Sequence, residues 1–301
     1  MNNAIIIVKI KKDFMEPIEK EPAINYFPGH MNKALYQIKD TVHNADAAIL
    51  ILDSRAPLAS FPYGLEKIIG DKPKVILLSK RDLADPIKTK EFIEYFNNKG
   101  YLAFDANLKN PKEASRVKNE LGRIRTSRDN KFIKLNLPLP PVKCLVLGIP
   151  NVGKSTTINV LGGKNRAATE NVPGKTRKTT MFRATPRIWL YDTPGILEPN
   201  VHDRDSMIKL ALLGSVKDDI LPHDYLAKKL LEMLSKLYPD AFEKRYGIPQ
   251  SLNSTQALID LADKRGFILS KDRPDIDRAL HCLLQEFKDG KLGGITLDEQ
   301  G

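Results

Sequence analysis

The chain has 301 residues, 42% of them hydrophobic and 28% charged, which is enough for two domains with packed cores. No apolar stretch approaches the ~18 residues that a membrane span requires. A membrane span is therefore not expected. The two cysteines form no CxxC or Cys/His cluster, so a zinc site is not expected either.

The net charge of +11 is concentrated in two segments. Residues 112–143 hold nine basic and three acidic residues, and residues 164–187 hold seven and one, whereas residues 203–301 hold 15 and 17. Concentrated positive charge favours a polyanionic partner, so the first two-thirds of the chain is predicted to contact RNA or phosphates.

The amino-terminal part begins with an extension, residues 1–23, which is predicted to be an extra strand or a loose segment. Its apolar run is short and its first 20 residues carry acids, unlike a signal or transit peptide. Phe27-Pro28-Gly29-His30 predicts a turn that opens a helix over residues 31–42. Residues 44–56 predict a buried parallel strand ended by Asp53 and Arg55, which we expect to organise the following loop.

The stretch KVILLSKRDLAD, residues 74–85, predicts a strand followed by the loop that recognises guanine. The usual pattern is Asn-Lys-x-Asp at a strand end, in which the Asp carboxylate accepts hydrogen bonds from guanine and the Lys stem packs on the base. Here it is Ser79-Lys80-Arg81-Asp82, and because Ser79 lacks the amide, a weaker hold on the base is expected. The strand predicted within residues 101–107 should supply a backbone N–H near Ala106 and Asn107 for guanine O6.

A basic connector, residues 112–143, is expected to cross the surface and to end at its prolines. The stretch VKCLVLGIPNVGKSTTINVL then predicts a strand, a phosphate-binding loop and a helix, the context that a P-loop requires. Backbone N–H groups curl around phosphate, Lys154 places a charge on it, and Ser155 offers a hydroxyl to Mg²⁺. The predicted nucleotide-binding residues here are Gly148, Asn151, Val152, Gly153, Lys154, Ser155 and Thr156.

Two further segments match the switches of a GTPase. In VPGKTRKTT, residues 172–180, Thr176 is the predicted Mg²⁺-binding switch hydroxyl, with Thr179 and Thr180 as competitors. The sequence YDTPGIL then places Asp192 at the end of a predicted strand, where it can hold Mg²⁺ through water. The N–H of Gly195 can face the γ-phosphate.

The remainder, residues 205–301, is predicted to be helical. Leucines at helical spacing indicate a helix in DYLAKKLLEMLSKLYP, and further helices are expected at about 252–265 and 274–289, the last with Pro274 in its first turn.

The order of these motifs is unusual, because the guanine-recognition loop precedes the P-loop. The only similar segment downstream, residues 216–219, has neither the amide or hydroxyl residue nor a strand before it. The predicted fold is therefore α/β: a circularly permuted P-loop GTPase domain, with a mostly parallel sheet flanked by helices, over residues 24–202. A small all-helical domain, residues 203–301, follows and is predicted to bind RNA or the ribosome.

This permuted order resembles the YlqF/RbgA family of ribosome-assembly GTPases and their mitochondrial relatives. The resemblance covers about residues 24–299, and its motifs are YFPGHMNKAL, LDSRAPL, GIPNVGKST, DTPGIL, LALLGSVKDDI and YPDAFEKRYGI. It implies GTP hydrolysis coupled to late maturation of the large ribosomal subunit, with binding to its rRNA. We expect a location in the bacterial cytoplasm, with the mitochondrial matrix as an alternative that the acidic leader disfavours. A monomer is expected.

The resemblance also implies roles for two residues. His30 is the implied catalytic residue, since Ile196 stands where Ras-like enzymes place a water-orienting Gln; a capping or RNA-facing His is the alternative. Asn151 resembles the K⁺-binding Asn of potassium-dependent GTPases, and a simple loop-forming Asn is its alternative. The expected ligands are thus GTP, Mg²⁺ and K⁺.

Three other functions remain possible on these residues. A nucleotide-gated RNA-binding protein with negligible hydrolysis would fit the missing Gln. A permuted GTPase of the small subunit would be expected to carry a zinc module or an N-terminal RNA-binding barrel. A P-loop kinase would leave residues 79–82 without a function.

Overall fold

The computed structural model describes residues 30–110, 112–162, 181–197, 203–216, 220–249, 253–269 and 272–300. Within them the chain forms two compact units, one of residues 30–206 with 298–300 and the other of residues 207–297. The predicted domain limits near residues 23 and 202 lie in or beside segments outside the described residues, and they stay predictions. No helix in the described ranges is long and apolar enough to cross a membrane.

The first unit alternates strands and helices along the chain. Its elements are α1 (His30–Val42), β1 (Ala47–Asp53), α2 (Tyr63–Ile69), β2 (Lys74–Ser79), a 3₁₀ turn (Arg81–Leu83), α3 (Pro86–Asn98), β3 (Leu102–Ala106), α4 (Glu113–Leu121), α5 (Asp129–Lys134), β4 (Val142–Leu147), α6 (Lys154–Gly162), β5 (Met181–Arg183) and β6 (Ile188–Asp192).

The strands form one sheet in the order β3-β2-β1-β4-β6-β5. All neighbouring pairs are parallel except β5 with β6, so the predicted mostly parallel sheet is confirmed. The carboxyl ends of β1, β2, β3, β4 and β6 therefore meet at one edge. That edge collects the loops that the sequence assigns to guanine, phosphate and Mg²⁺.

The core explains why the strands are continuous apolar runs. Every residue of β1 is buried, as expected for a central parallel strand covered on both faces. Leu50 and Leu52 of β1 pack in one cluster with Leu145 of β4 and with Phe92 and Phe96 of α3. A sheet buried in this way holds the positions of its strand ends, and hence of the loops that follow them.

The connector is pinned to the amino-terminal side of the sheet by ion pairs. Arg187 lies 2.5 Å from Asp129, which is buried, and Arg128 lies 2.7 Å from Asp46, just before β1. Its last part is exposed, including the aliphatic side chains Ile133, Leu135 and Leu137. The segment thus crosses the surface between β3 and β4, with α4 and α5 formed within it.

The second unit is mostly helical, as predicted, with one short hairpin. α7 (Arg204–Leu212) begins at the boundary of the units and is followed by α8 (His223–Leu237), α9 (Ala241–Tyr246), α10 (Ser254–Arg265), β7 (Ile268–Leu269), β8 (Arg273–Pro274) and α11 (Ile276–Lys288). The predicted position of Pro274 in the first turn of the last helix is wrong. Pro274 is extended and pairs with Ile268, and the helix is capped by Asp275, whose carboxylate accepts a hydrogen bond from the Arg278 N–H.

Candidate nucleotide-binding site

The loop between β4 and α6 has the backbone of a phosphate cradle. Gly148 has φ +155°, and a Cβ there would lie 2.6 Å from the Ile51 carbonyl oxygen, so no larger residue fits. Asn151 and Gly153 follow with φ of 60° and 101°. Asn tolerates the left-handed region better than other side chains, which suits Asn151 to this turn. The loop delivers the chain directly into α6 at Lys154.

The Lys154 side chain lies inside this loop. Its ammonium donates hydrogen bonds to the Gly148 and Ile149 carbonyl oxygens, each at 2.9 Å. Burial lowers the pKa of Lys154 to about 8, although nearby Asp192 acts in the opposite direction. A desolvated ammonium of this kind interacts strongly with phosphate oxygens, since little water must be displaced.

The first turn of α6 presents its hydroxyls in two directions. Ser155 and Thr156 are exposed at the carboxyl edge of the sheet, where a nucleotide and its metal would lie. Thr157 is buried and donates to the Gly153 carbonyl oxygen at 2.9 Å, which ties the helix to the loop. Val152 is also buried and packs as part of the loop's support.

The loop after β6 packs against the P-loop. Thr193 donates to the Val146 carbonyl oxygen at 2.5 Å, and the Ile196 N–H reaches Gly148 O at 3.4 Å. A Cβ on Gly195 would lie 2.8 Å from the Lys154 Nζ, so glycine allows this backbone to approach the lysine. Asp192 is half-buried at the end of β6, next to β4. Two carboxyl-edge loops therefore converge on Lys154.

The guanine-recognition loop meets the P-loop through Ser79. The Ser79 hydroxyl faces two carbonyl oxygens, Leu52 O at 2.9 Å and Val152 O at 2.5 Å, and its single proton is shared between them. Ser79 is buried, and its hydroxyl links the two loops. The Asp82 side chain, in contrast, is 25% exposed, and its carboxylate lies 3.9 Å from the Lys109 ammonium.

The loop after β3 is fixed by four charged side chains. Arg81 pairs with Asp105 at 3.4 Å and with Glu113 at 3.1 Å, and Arg116 pairs with the same two acids. Burial alone would raise the pKa of Glu113, but Arg116 and Arg81 outweigh it and lower the pKa. The nearby backbone of Asn107 also lowers the pKa of Glu113.

Ala106 and Asn107, which are predicted to supply a backbone N–H to guanine O6, lie at the end of β3 and just after it. The Asn107 side-chain oxygen accepts a hydrogen bond from the Lys109 N–H at 3.0 Å. This bond shapes the loop after β3, and the contact predicted for the Asn107 backbone stays a prediction. Ala106 is buried at the end of β3, in register with Ser79 of β2, and lies within the edge where the base would sit.

Some predicted residues lie beyond what can be placed. Thr176, Thr179 and Thr180 fall outside the described residues, as does the leader over residues 1–23. His30 begins α1, but its side chain is outside the described part of the structure. The roles predicted for these residues stay predictions.

Comparison with known proteins agrees with this geometry. Residues 143–241 match the family model described as "50S ribosome-binding GTPase". The chain is 33% identical to Ribosome biogenesis GTPase A of Bacillus cereus, over 91% of this chain and 93% of that protein. It is 29% identical to Mitochondrial ribosome-associated GTPase 1 of Xenopus tropicalis, over 93% and 96%.

Solved structures show the same relationship. The GNP-bound structure of YlqF from Thermotoga maritima superposes with a TM-score of 0.61 at 29% identity, covering 88% of this chain and 97% of that one. A GDP-bound YlqF structure gives 0.62, covering 87% and 98%. The guanine-recognition loop before the P-loop, both at one sheet edge, and these similarities together show that the chain belongs to the YlqF/RbgA family of circularly permuted ribosome biogenesis GTPases.

Proposed function

We propose that this GTPase acts in assembly of the large ribosomal subunit: it binds a precursor of the subunit and its rRNA, and it leaves after GTP hydrolysis. The observation that supports the GTP-binding part of this proposal most directly is the contact of Ser79 with Val152, which holds the guanine-recognition and phosphate-binding loops together. The names of the similar proteins, "50S ribosome-binding GTPase" among them, support the ribosomal partner.

The residues at the sheet edge fit Mg²⁺, which prefers oxygen ligands. The Ser155 hydroxyl is exposed and the Asp192 carboxylate ends a neighbouring strand, and Thr176 is proposed to complete the set. When bound, Mg²⁺ would supply positive charge that offsets the negative charge developing on the phosphate during hydrolysis. Lys154 would hold the same phosphates from inside the loop, while Asp82 selects guanine.

Hydrolysis requires a group that orients water, and Ile196 cannot serve, because it is apolar and fully buried. We assign this role to His30, which opens α1. K⁺ held at Asn151 would supply positive charge near the phosphates. Asn151 is exposed within the P-loop, as such a ligand must be.

The RNA partner is supported by charge. The connector carries nine basic residues, and Lys131 and Lys134 are exposed in it. Exposed cations of this kind contact phosphates without regard to sequence. We place the protein in the bacterial cytoplasm as a monomer, with the mitochondrial matrix as the alternative, since mitochondrial proteins are among its relatives.

The burial of Ile196 also favours a second candidate, a nucleotide-gated RNA-binding protein with negligible hydrolysis. GTP turnover distinguishes the two when it is measured in K⁺ and in Na⁺ buffer, with and without purified large ribosomal subunits. We expect stimulation by the subunits that is larger in K⁺. Tight GTP binding without turnover under any of these conditions would favour the second candidate. If the subunits stimulate turnover as expected, His30→Ala should lower that turnover and leave GTP affinity unchanged.

A further inference from the structure

The loop that follows β1, residues 53–60, touches the guanine-recognition loop although it belongs to no nucleotide-binding motif of the sequence. It begins with a buried ion pair: the Arg55 guanidinium donates to the two Asp53 carboxylate oxygens at 3.0 and 2.9 Å. Asp53 is fully buried and Arg55 is 2% exposed. Burial alone would raise the pKa of Asp53, but Arg55 and Lys80 outweigh it and hold the pKa at about 2. Asp53 is therefore charged at any physiological pH.

This charged carboxylate reaches directly into the guanine-recognition loop. Asp53 Oδ2 lies 2.7 Å from the Lys80 ammonium, and Lys80 has a left-handed backbone with φ 57°. The neighbouring Ser54 donates to the Ser79 carbonyl oxygen twice, from its N–H at 3.0 Å and from its hydroxyl at 2.6 Å. Two successive residues of one loop thus fix two successive residues of the other.

The loop itself is held on its other side. The Ser60 hydroxyl accepts from the Asp53 N–H at 3.0 Å and donates to the Ala56 carbonyl oxygen at 2.7 Å, which closes the loop on itself. The Asp298 carboxylate accepts from the N–H groups of Leu58 and Ala59 at 2.7 and 3.0 Å. Asp53 therefore presents its oxygens to Lys80 from a rigid support.

Lys80 is the residue whose stem must lie along a guanine base. A free lysine side chain samples many rotamers, and ordering it on a base costs conformational entropy. With its ammonium held by Asp53, the Lys80 side chain is 23% exposed and already ordered before a nucleotide arrives. Preorganisation of this kind raises affinity without a new contact to the ligand.

We propose that Asp53 is a positioning residue for guanine nucleotides: it acts through Lys80, holding the lysine stem in the orientation that packs on the base. The inference rests on the proposed GTP-binding function and concerns the same site. Asp53 itself would touch neither the nucleotide nor the metal.

A double-mutant cycle on nucleotide affinity separates this role from a merely structural one. The dissociation constant of fluorescently labelled GDP is measured for wild type, Asp53→Asn, Lys80→Ala and the double variant. We expect Asp53→Asn to weaken GDP binding roughly tenfold in the wild-type background and less than about twofold when Lys80 is already alanine. Asp263→Asn, which removes an exposed charge from the helical unit, is the matched control and should bind GDP as wild type does.

Equal losses in the two backgrounds would overturn the proposal, because Asp53 would then act independently of Lys80. Unchanged affinity in Asp53→Asn would overturn it as well. Since Asp53→Asn leaves Arg55 buried without its partner, that variant is at risk of not folding. The double substitution Asp53→Asn and Arg55→Gln removes both charges. The same cycle with Lys80→Ala is measured on this variant, and its thermal unfolding is followed in parallel. The preference of wild type for GDP over ADP is measured before the cycle. Absence of that preference would contradict the proposed function, whereas the cycle tests the role of Asp53.

Discussion

The two loops that make up the nucleotide site are built by different means. The P-loop is shaped by its own backbone: Gly148 and Gly153 adopt conformations that other residues avoid, and Lys154 bonds to the carbonyls of the same loop. The guanine-recognition loop is shaped by side chains from elsewhere, above all Asp53 on one flank and Glu113 on the other. One loop is therefore defined within eight residues, and the other depends on segments far apart in the chain.

This difference predicts how substitutions affect the position of each loop. A loop defined by backbone geometry tolerates almost no change at its glycines, because no neighbour can rearrange to compensate. A loop held by several ion pairs keeps the remaining pairs when one of them is removed, so a single variant there should displace it less. Variants in the two loops should accordingly differ in the size and the kind of their effects.

The largest effect is expected at Gly148. In Gly148→Ala the new Cβ would lie 2.6 Å from the Ile51 carbonyl oxygen, which is backbone and cannot move aside. The P-loop must shift, and a displacement of about 1 Å at such a site is worth on the order of 100-fold in function. GDP affinity, measured by fluorescence titration, should fall by at least that factor.

Gly100→Ala is the matched control for this variant. Gly100 also has a positive φ, +84°, but a Cβ there meets nothing within 4 Å, and it lies before β3, away from the carboxyl edge. It should cost about 1 kcal/mol of stability and leave GDP affinity intact. Similar affinity losses in both variants would mean that backbone strain in general, and not the shape of the P-loop, lowers binding.

The same contrast explains what could be predicted from the sequence. The P-loop was predictable because its strand, glycines, lysine and helix are contiguous, and all of them lie where the pattern places them. The permuted order and the mostly parallel sheet followed from motif order alone and are confirmed. Pro274 was misplaced, since the capping preference of Asp275 outweighs the tendency of proline to occupy a first turn.

The contacts around the guanine-recognition loop could not be predicted in the same way. Asp53 meets Lys80 across 27 residues, and Asp298 meets Leu58 across 240. Asp53 and Arg55 were expected only to organise a loop, because their partner is visible only once β1 and β2 are paired. The pair of Arg81 with Glu113, 32 residues apart, is likewise a consequence of tertiary packing.

Asp82 tests the specificity of the side-chain-built loop. Its carboxylate is the predicted acceptor for guanine N1–H and the 2-amino group, and an amide in its place would pair better with xanthine, which carries an oxygen at position 2. Since a two-pronged hydrogen-bond pair is worth about 1–3 kcal/mol of discrimination, Asp82→Asn should shift the preference between GDP and XDP by tens of fold towards XDP. Competition titrations of the two nucleotides measure this ratio.

Asp85→Asn provides the control for Asp82→Asn. It removes a negative charge three residues away, and Asn caps a helix as well as Asp does, so α3 should keep its start. This variant should retain the wild-type preference for GDP. An unchanged preference in Asp82→Asn, or an equal shift in Asp85→Asn, would contradict the assignment of Asp82 to the base.

The smallest effect is a pH dependence that belongs to the P-loop alone. The pKa of Lys154 is lowered from 10.5 to about 8 by burial, so between these values the folded protein holds fewer protons than the unfolded chain. Stability from this group therefore rises as pH increases from 8 towards 10.5. Nucleotide affinity should change in the opposite sense, because phosphates bind the charged lysine and a proton must be taken up above pH 8. The dissociation constant for GDP should rise by up to about tenfold per pH unit there.

Lys154→Arg makes this prediction specific, since arginine keeps its charge throughout the range. Its GDP affinity is expected to be lower than that of wild type and to change little between pH 7 and pH 9. Titration of guanine itself affects both proteins equally, so the difference between their slopes reports on Lys154. Equal slopes in wild type and Lys154→Arg would show that another group causes the dependence. A difference in GDP affinity between the two proteins that is confined to pH above 8 would instead assign the titrating proton to Lys154. The opposite trends of stability and affinity with pH would then both follow from that one buried ammonium.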